Sequence, residues 1–154
     1  MKLEWTGQEL VAADVSTTWA FITDPAQISQ CLPDLLEAII HDAQTFDAIV
    51  QVSLGPVRGK FKFKIALEPQ GDGSRMNMTI SGGGLGSVVD LIAGADIRDN
   101  GDATTTLDWR GTASMRGPVA TVGGRVIDAQ AQRVISTTFA NVKTRLAGAT
   151  SASA

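Results

Sequence analysis

Residues 118–146 read PVATVGGRVIDAQAQRVISTTFANVKTRL, and this stretch decides the fold. Ile127, Ala131, Val134, Ile135, Thr138, Val142 and Leu146 recur at the three-and-four spacing of one helical face. Arg125, Asp128, Gln132, Lys143 and Arg145 fall largely on the other side. Gly117-Pro118 opens the stretch with a proline suited to a first helical turn, and Gly148, followed by small polar residues, is expected to end it. At 1.5 Å per residue the predicted helix runs about 43 Å and needs a long apolar partner. Almost everything before it reads as strand. The pattern predicts one long helix lying across a curved sheet. Gly123-Gly124 costs on the order of 1 kcal/mol of helix propensity per residue, and suits either close backbone packing or a local bend.

Upstream of the helix the period is close to two. Residues 3–11 form a first strand. Asp14 or Ser16 can cap a short helix through Ile22, with Val15, Trp19 and Ile22 on its apolar face, and Pro25 can start a second one through Gln30. Cys31-Leu32-Pro33 stops helical structure, because the residue before a proline is pushed out of the α region. After a weak strand over 35–42, Ala48, Val50, Val52 and Leu54 alternate with Ile49, Gln51 and Ser53. Phe61, Phe63, Ile65 and Leu67 then alternate with Lys60, Lys62, Lys64 and Glu68. Met76, Met78 and Ile80, then Val89, Leu91, Ala93, Ala95 and Ile97, then Leu107, Trp109, Gly111, Ala113 and Met115 continue the pattern, with Asn100-Gly101 as a hairpin signal. Short connections of this kind predict an antiparallel meander, buried on one face and solvated on the other.

The inward faces mix small residues (Gly82, Ala93, Ala95, Gly111, Ala113) and flexible Met76, Met78 and Met115 among the large ones. Two readings stand: an apolar cavity under the helix, or an ordinary core filled from elsewhere. A cavity would be lined by Met78, Ile80, Leu91, Ala93, Trp109, Ala113 and Met115 from three neighbouring strands, by Ile127 and Ile135 from the helix, and by Trp19 closing one side.

With 154 residues the chain fits one domain, and its formal charge of −3 makes no case for nucleic acid. Cys31 is the only cysteine, which excludes an internal disulfide and fits a reducing compartment. No signal peptide and no bilayer-spanning run are visible, so a cytoplasmic location is expected.

Several short words carry a family resemblance. Trp19-Ala20-Phe21-Ile22-Thr23-Asp24-Pro25, Cys31-Leu32-Pro33, Leu54-Gly55-Pro56-Val57, Gly59-Lys60-Phe61, Gly123-Gly124-Arg125-Val126-Ile127 and Phe139-Ala140-Asn141-Val142 resemble the carbon monoxide dehydrogenase G-subunit family of the START-like (SRPBCC) helix-grip superfamily. The resemblance implies an α+β helix-grip fold: a curved antiparallel sheet of about seven strands around a long C-terminal helix, with two short helices after the first strand. Residues 1–148 would form that domain and 149–154 a flexible tail. It also implies a non-catalytic accessory protein of a molybdenum hydroxylase, binding an apolar quinone-like or lipid-like ligand and aiding membrane recruitment or electron-acceptor delivery, with no cofactor. Asp34-Leu35 departs from the Gly-Ala usual after Cys-Leu-Pro, and the membrane-associating extension of some members is missing. At most peripheral contact with the inner membrane face is therefore expected. The alternative is a cyclase- or hydrolase-type enzyme of the same superfamily.

The residues offer little for catalysis. His41 is the sole histidine, and a Cys31–His41 nucleophile pair competes with a structural cysteine and a surface histidine. Asp90, Asp96 and Asp108 fall opposite the apolar positions of their strands. Gly82-Gly83-Gly84-Leu85-Gly86 invites a phosphate-loop reading, but strands flank it on both sides and no Gly-Lys-Ser/Thr follows, so a hairpin is expected. Arg58, Lys60, Lys62 and Lys64 form an outward basic row: a solvated face, a lysine-protected sheet edge, or a docking stripe for an acidic partner or anionic lipid.

Overall fold

The alternating stretches become seven strands in one sheet. A computed structural model describes residues 1–71 and 73–152, with side chains through residue 147. β1 (Lys2–Val11) leads to α1 (Val15–Ile22) and α2 (Pro25–Ser29). There follow β2 (Leu35–Ile40), β3 (Thr45–Leu54), β4 (Val57–Gln70), β5 (Arg75–Gly84), β6 (Ser87–Asp99) and β7 (Thr105–Arg116). Each strand pairs antiparallel with the next along the meander, and β1 returns to pair with β7, giving the order β1-β7-β6-β5-β4-β3-β2. The sheet is the antiparallel layer of an α+β fold, with the C-terminal helix α3 (Gly124–Ala152) across it.

The short helices begin where the side chains can satisfy their open N–H groups. Asp14 accepts from Thr17 N–H at the start of α1, and Asp24 accepts from Ala26 N–H beside Pro25 at the start of α2. The face that α1 buries is Thr18, Phe21 and Ile22. Of the expected Val15-Trp19-Ile22 face, Ile22 is buried and Val15 and Trp19 are partly buried against the same core, while Thr18 and Phe21 are covered more deeply.

The long helix starts later than its sequence suggests. Pro118–Val122 is a 3-10 helix, and Gly123 then breaks the chain at φ +99° and ψ 148°. A side chain is strained in that conformation, so the glycine marks a joint between two helices. Nothing lies within 4 Å of a Cβ built on Gly123 or Gly124, so the pair serves the bend and not close packing. α3 runs past Gly148 to Ala152: one glycine weakens a helix without ending it when helix-compatible residues follow. Of the expected tail, 149–152 thus belong to α3 and 153–154 lie outside the described residues.

The buried side chains gather in two clusters, one at each end of the helix. Val11, Phe21, Cys31, Phe46, Leu67, Leu107, Val142 and Leu146 pack where α1, α2 and the last turns of α3 meet the sheet. Leu54, Val57, Phe61, Ala113, Met115, Val119 and Ile127 pack under the 3-10 helix and the first turn of α3. Strong curvature between them brings backbones close at Gly82 and Gly83, where a Cβ would strike the carbonyl oxygens of Lys62 and Ser87. Gly83→Ala should therefore cost roughly 1–3 kcal/mol in urea unfolding, with the far-ultraviolet circular dichroism of the folded state unchanged. A cost near zero would mean the strands are not held this tightly.

Candidate functional site

Between the two clusters the helix stands off the sheet and encloses a cavity of about 420 Å³. Small residues on both walls leave this space: Ala48, Ala93, Ala95 and Gly111 from the sheet, Ala131 and Thr138 from α3. The remaining lining is almost wholly apolar, with Phe46, Phe63, Leu91, Trp109 and Phe139 among the larger contributors. Trp109 and Phe139 face each other with ring centroids 5.7 Å apart. Trp109 finds room because its β1 neighbour is Gly7, where a Cβ would come within 2.9 Å of the indole Nε1. That N–H is buried and has no hydrogen-bond partner among the described residues.

The polar lining groups sit mainly on one side. Asp34, Gln51 and Gln130 border the cavity, and Arg133 donates from Nη2 to Asp34 Oδ2 at 2.6 Å, tying α3 to the chain leaving α2. Asp34 itself has a left-handed backbone, φ +59°, and its carbonyl accepts from Gln51 N–H at 3.0 Å. An open groove over Ser53, Leu54, Gly55, Arg125, Val126, Ala129, Gln130 and Arg133 adjoins the cavity, sharing Leu54 and Gln130 with it. This is the mouth.

Of the residues singled out from sequence, Met78, Ile80, Leu91, Ala93, Trp109, Ala113, Met115, Ile127 and Ile135 all surround the cavity. Trp19 does not. It packs from α1 against the edge of the apolar cluster beside the β4–β5 turn, where a Cβ on Gly73 would sit 3.6 Å from the indole, while Ile22 reaches the cavity instead. The β3 and β4 residues Phe46, Ala48, Val50, Phe63 and Ile65 are lining groups that an argument from β5 to β7 alone leaves out. Their inward alternation is visible in the sequence; the curvature that wraps them around the same space is not.

The other motifs resolve differently. Arg58, Lys60, Lys62 and Lys64 are exposed on β4, but β4 lies between β3 and β5, which removes the sheet-edge reading. Lys62 lies 3.7 Å from Asp47. The glycine run forms the end of β5 and the two-residue turn Leu85-Gly86, with β6 beginning at Ser87, so no helix N-terminus faces it. Cys31 is buried after α2, and burial pushes its thiol above the usual range, although Arg145 opposes this. His41 sits at the β2–β3 turn, its Nε2 3.0 Å from Asp47, whose pKa is lowered chiefly by that hydrogen bond. Asp96 is held by Arg75 and Arg110, and Asp108 by Arg98, on the outer face. Among the described residues no cluster of three or more His, Cys, Asp or Glu could hold a metal ion.

A sequence model of the carbon monoxide dehydrogenase G-subunit (CoxG) family matches residues 7–147. No curated protein matches the chain. Among solved structures, a conserved protein from Geobacillus kaustophilus superposes with a TM-score of 0.85 at 22% identity, over 95% of this chain and 96% of that one. A START superfamily protein from Mycobacterium smegmatis gives 0.71 at 14% identity, over 94% and 97%. The Zhui aromatase/cyclase from Streptomyces sp. R1128 gives 0.65 at 12% identity, over 95% and 94%.

Two alanines on the cavity wall differ in a way that tests the geometry. Ala93 is partly accessible, whereas Ala113 is only 1% exposed and belongs to the packed cluster at the mouth end. Ala93→Phe should lower the affinity of an apolar fluorescent probe at least tenfold, about 1.4 kcal/mol, with little change in melting temperature. Ala113→Phe should instead overpack and cost roughly 1–3 kcal/mol of stability. Equal stability losses in both variants, with no probe bound by the parent, would mean that the space is filled.

Proposed function

Because the chain belongs to the carbon monoxide dehydrogenase G-subunit family, we propose that it is a non-catalytic accessory protein. In this reading its cavity carries an apolar quinone-like or lipid-like molecule for a molybdenum hydroxylase of the carbon monoxide dehydrogenase type. The observation that carries the reading is the cavity itself, about 420 Å³ with apolar walls and a defined mouth. That volume lies in the range of small-molecule sites. The lining asks for a molecule that is mostly hydrocarbon or aromatic ring, with its polar groups toward Gln51, Gln130 and the Asp34–Arg133 pair.

Cyclase chemistry, which the Streptomyces neighbour's name describes, would need titratable groups facing the substrate. Here the charged lining residues are Asp34, bound to Arg133, and Arg110, 3.7 Å from Asp96. Neither is placed as a free acid or base. The raised thiol pKa of Cys31 likewise opposes a nucleophilic role.

Native mass spectrometry and organic extraction of protein purified without added ligand should release an apolar molecule in proportion to the chain. A bare chain that also fails to take up an apolar probe would sink the carrier reading. Separately, the Cys31 thiol should resist iodoacetamide at neutral pH until the protein is unfolded, and Cys31→Ala should keep ligand binding. Rapid alkylation in the folded state, or loss of function in Cys31→Ala at an unchanged melting temperature, would favour an enzyme.

A further inference from the structure

The sheet does not close, and its two edges, β1 and β2, are treated differently. β1 is protected. Lys2, Glu4 and Gln8 stand exposed along it, and α3 is bonded to it through Trp5–Asp128 and Glu9–Lys143. Charge and cover of this kind are how natural proteins blunt an edge. β2 has neither: it reads Leu-Leu-Glu-Ala-Ile-Ile, with no lysine and no proline. Its Leu36, Ile39 and Ile40 are 52%, 36% and 45% exposed.

The pairing with β3 shows which backbone groups this edge leaves open. The His41 N–H donates to the Thr45 carbonyl at 3.0 Å, so the odd-numbered residues of β2 turn their N–H and C=O toward β3. Ala38 and Ile40 turn theirs outward, where no further strand lies to receive them. The bulge between Leu35 and Glu37 takes Leu36 out of the regular ladder. The open edge is thus the backbone of Ala38 and Ile40, with Ile39 between them and Glu37 and His41 on the flanks.

This array is complementary to itself. In an antiparallel two-fold pairing with Ile39 on the axis, Ala38 of each copy faces Ile40 of the other, and every open N–H meets an open carbonyl. Ile39 then packs on its own counterpart. Glu37 of each copy stands opposite His41 of the other, a carboxylate beside an imidazole that is cationic when protonated. Sliding the pairing by two residues either way separates Glu37 from His41 and leaves open groups of Ala38 or Ile40 unmatched. We infer that β2 is a self-association edge, through which two copies of the chain join their sheets into one. This goes beyond the carrier reading and does not rest on it, since no residue of β2 lines the cavity. An extended segment of another protein could use the same backbone groups, but nothing in it would supply the Glu37–His41 match. A six-residue strand buries less surface than a standard stable interface, so a dimer that forms and separates at micromolar concentration is expected.

Sedimentation equilibrium of the full chain should show a mass that rises with concentration from 16.1 kDa toward twice that value. Ile40→Pro removes an N–H that the monomer leaves open, and Ile39→Lys sets two like charges opposite each other. Each should weaken association at least tenfold while the far-ultraviolet circular dichroism stays unchanged. Ile92→Lys, at an exposed apolar residue of the interior strand β6, should leave association as it was. Disulfide trapping tests the register. Ile39→Cys places two thiols in a non-hydrogen-bonded pair, about 4.5 Å apart at Cα and within reach of a disulfide, while the native Cys31 is buried. Mild oxidation should give a covalent dimer from Ile39→Cys and none from Glu37→Cys, because Glu37 lies opposite His41 and not opposite itself. A constant monomer mass up to millimolar concentration, association insensitive to both Ile39→Lys and Ile40→Pro, or equal trapping by both cysteine variants overturns the inference. Uptake of an apolar probe should be the same in Ile39→Lys as in the parent, so failure of the dimer leaves the carrier reading standing, and the reverse holds.

Discussion

The structure depends on α3 being fastened at its margins and not through its middle. On the β1 side, Trp5 donates from Nε1 to Asp128 at 2.7 Å and Lys143 donates to Glu9 at 2.7 Å. On the other side, Asn141 donates to the Cys31 carbonyl at 2.9 Å and Arg133 to Asp34 at 2.6 Å. These contacts fix the height of the helix above the sheet while Ala131 and Thr138 between them stay small. The polar bonds are worth only about 1 kcal/mol each, so the two apolar clusters at the ends supply the strength and the bonds set the register. Space in the centre follows from this division of labour.

The strands and the face of the long helix were legible because burial on one side of each imposes a period that survives in the sequence. Phe61, Phe63, Ile65 and Leu67 point inward against Lys60, Lys62 and Lys64, as their alternation requires. Three features were not legible, each for a physical reason. Gly123 breaks the helix through a backbone angle that a pair of glycines allows but does not dictate. Trp19 lies at the margin of the face that α1 buries, and an eight-residue helix has too few turns to fix that face by pattern. The share of the cavity wall supplied by β3 and β4 depends on sheet curvature, a property of backbone contacts at Gly82 and Gly83 that hydrophobic period does not encode. Placing the basic row on an interior strand required the pairing order.

Polarity is arranged so that no unpaired charge borders the cavity among the described residues. Asp96 and Asp108 lie on the outer face, paired with arginines across neighbouring strands. Glu9, which alternation turns toward the helix, is met by Lys143 at the edge and not left beneath α3. A lone carboxylate inside so apolar a space would have to become neutral or find a partner. The two charged residues that border the cavity, Asp34 and Arg110, are each paired, with Arg133 and Asp96, and their side chains are half exposed, so solvent lowers the cost of holding them.

Departures from local preference are spread over the chain: Asp34, Leu85 and Ala103 adopt left-handed backbones without being glycine, and Gly123 bends the entry to α3. Each costs stability that a tighter sequence would recover, since consistency between residue and backbone is the usual state of a folded chain. The Asp34 conformation is held from two sides, by Arg133 on its carboxylate and by Gln51 on its carbonyl. The segment after α2 is thus tied to α3 twice, through Arg133 on the Asp34 carboxylate at the cavity rim and through Asn141 on the Cys31 carbonyl at the edge of the packed cluster. Asp34, Gln51 and Arg133 belong to neither apolar cluster, so the rim is held by polar bonds and the ends by packing.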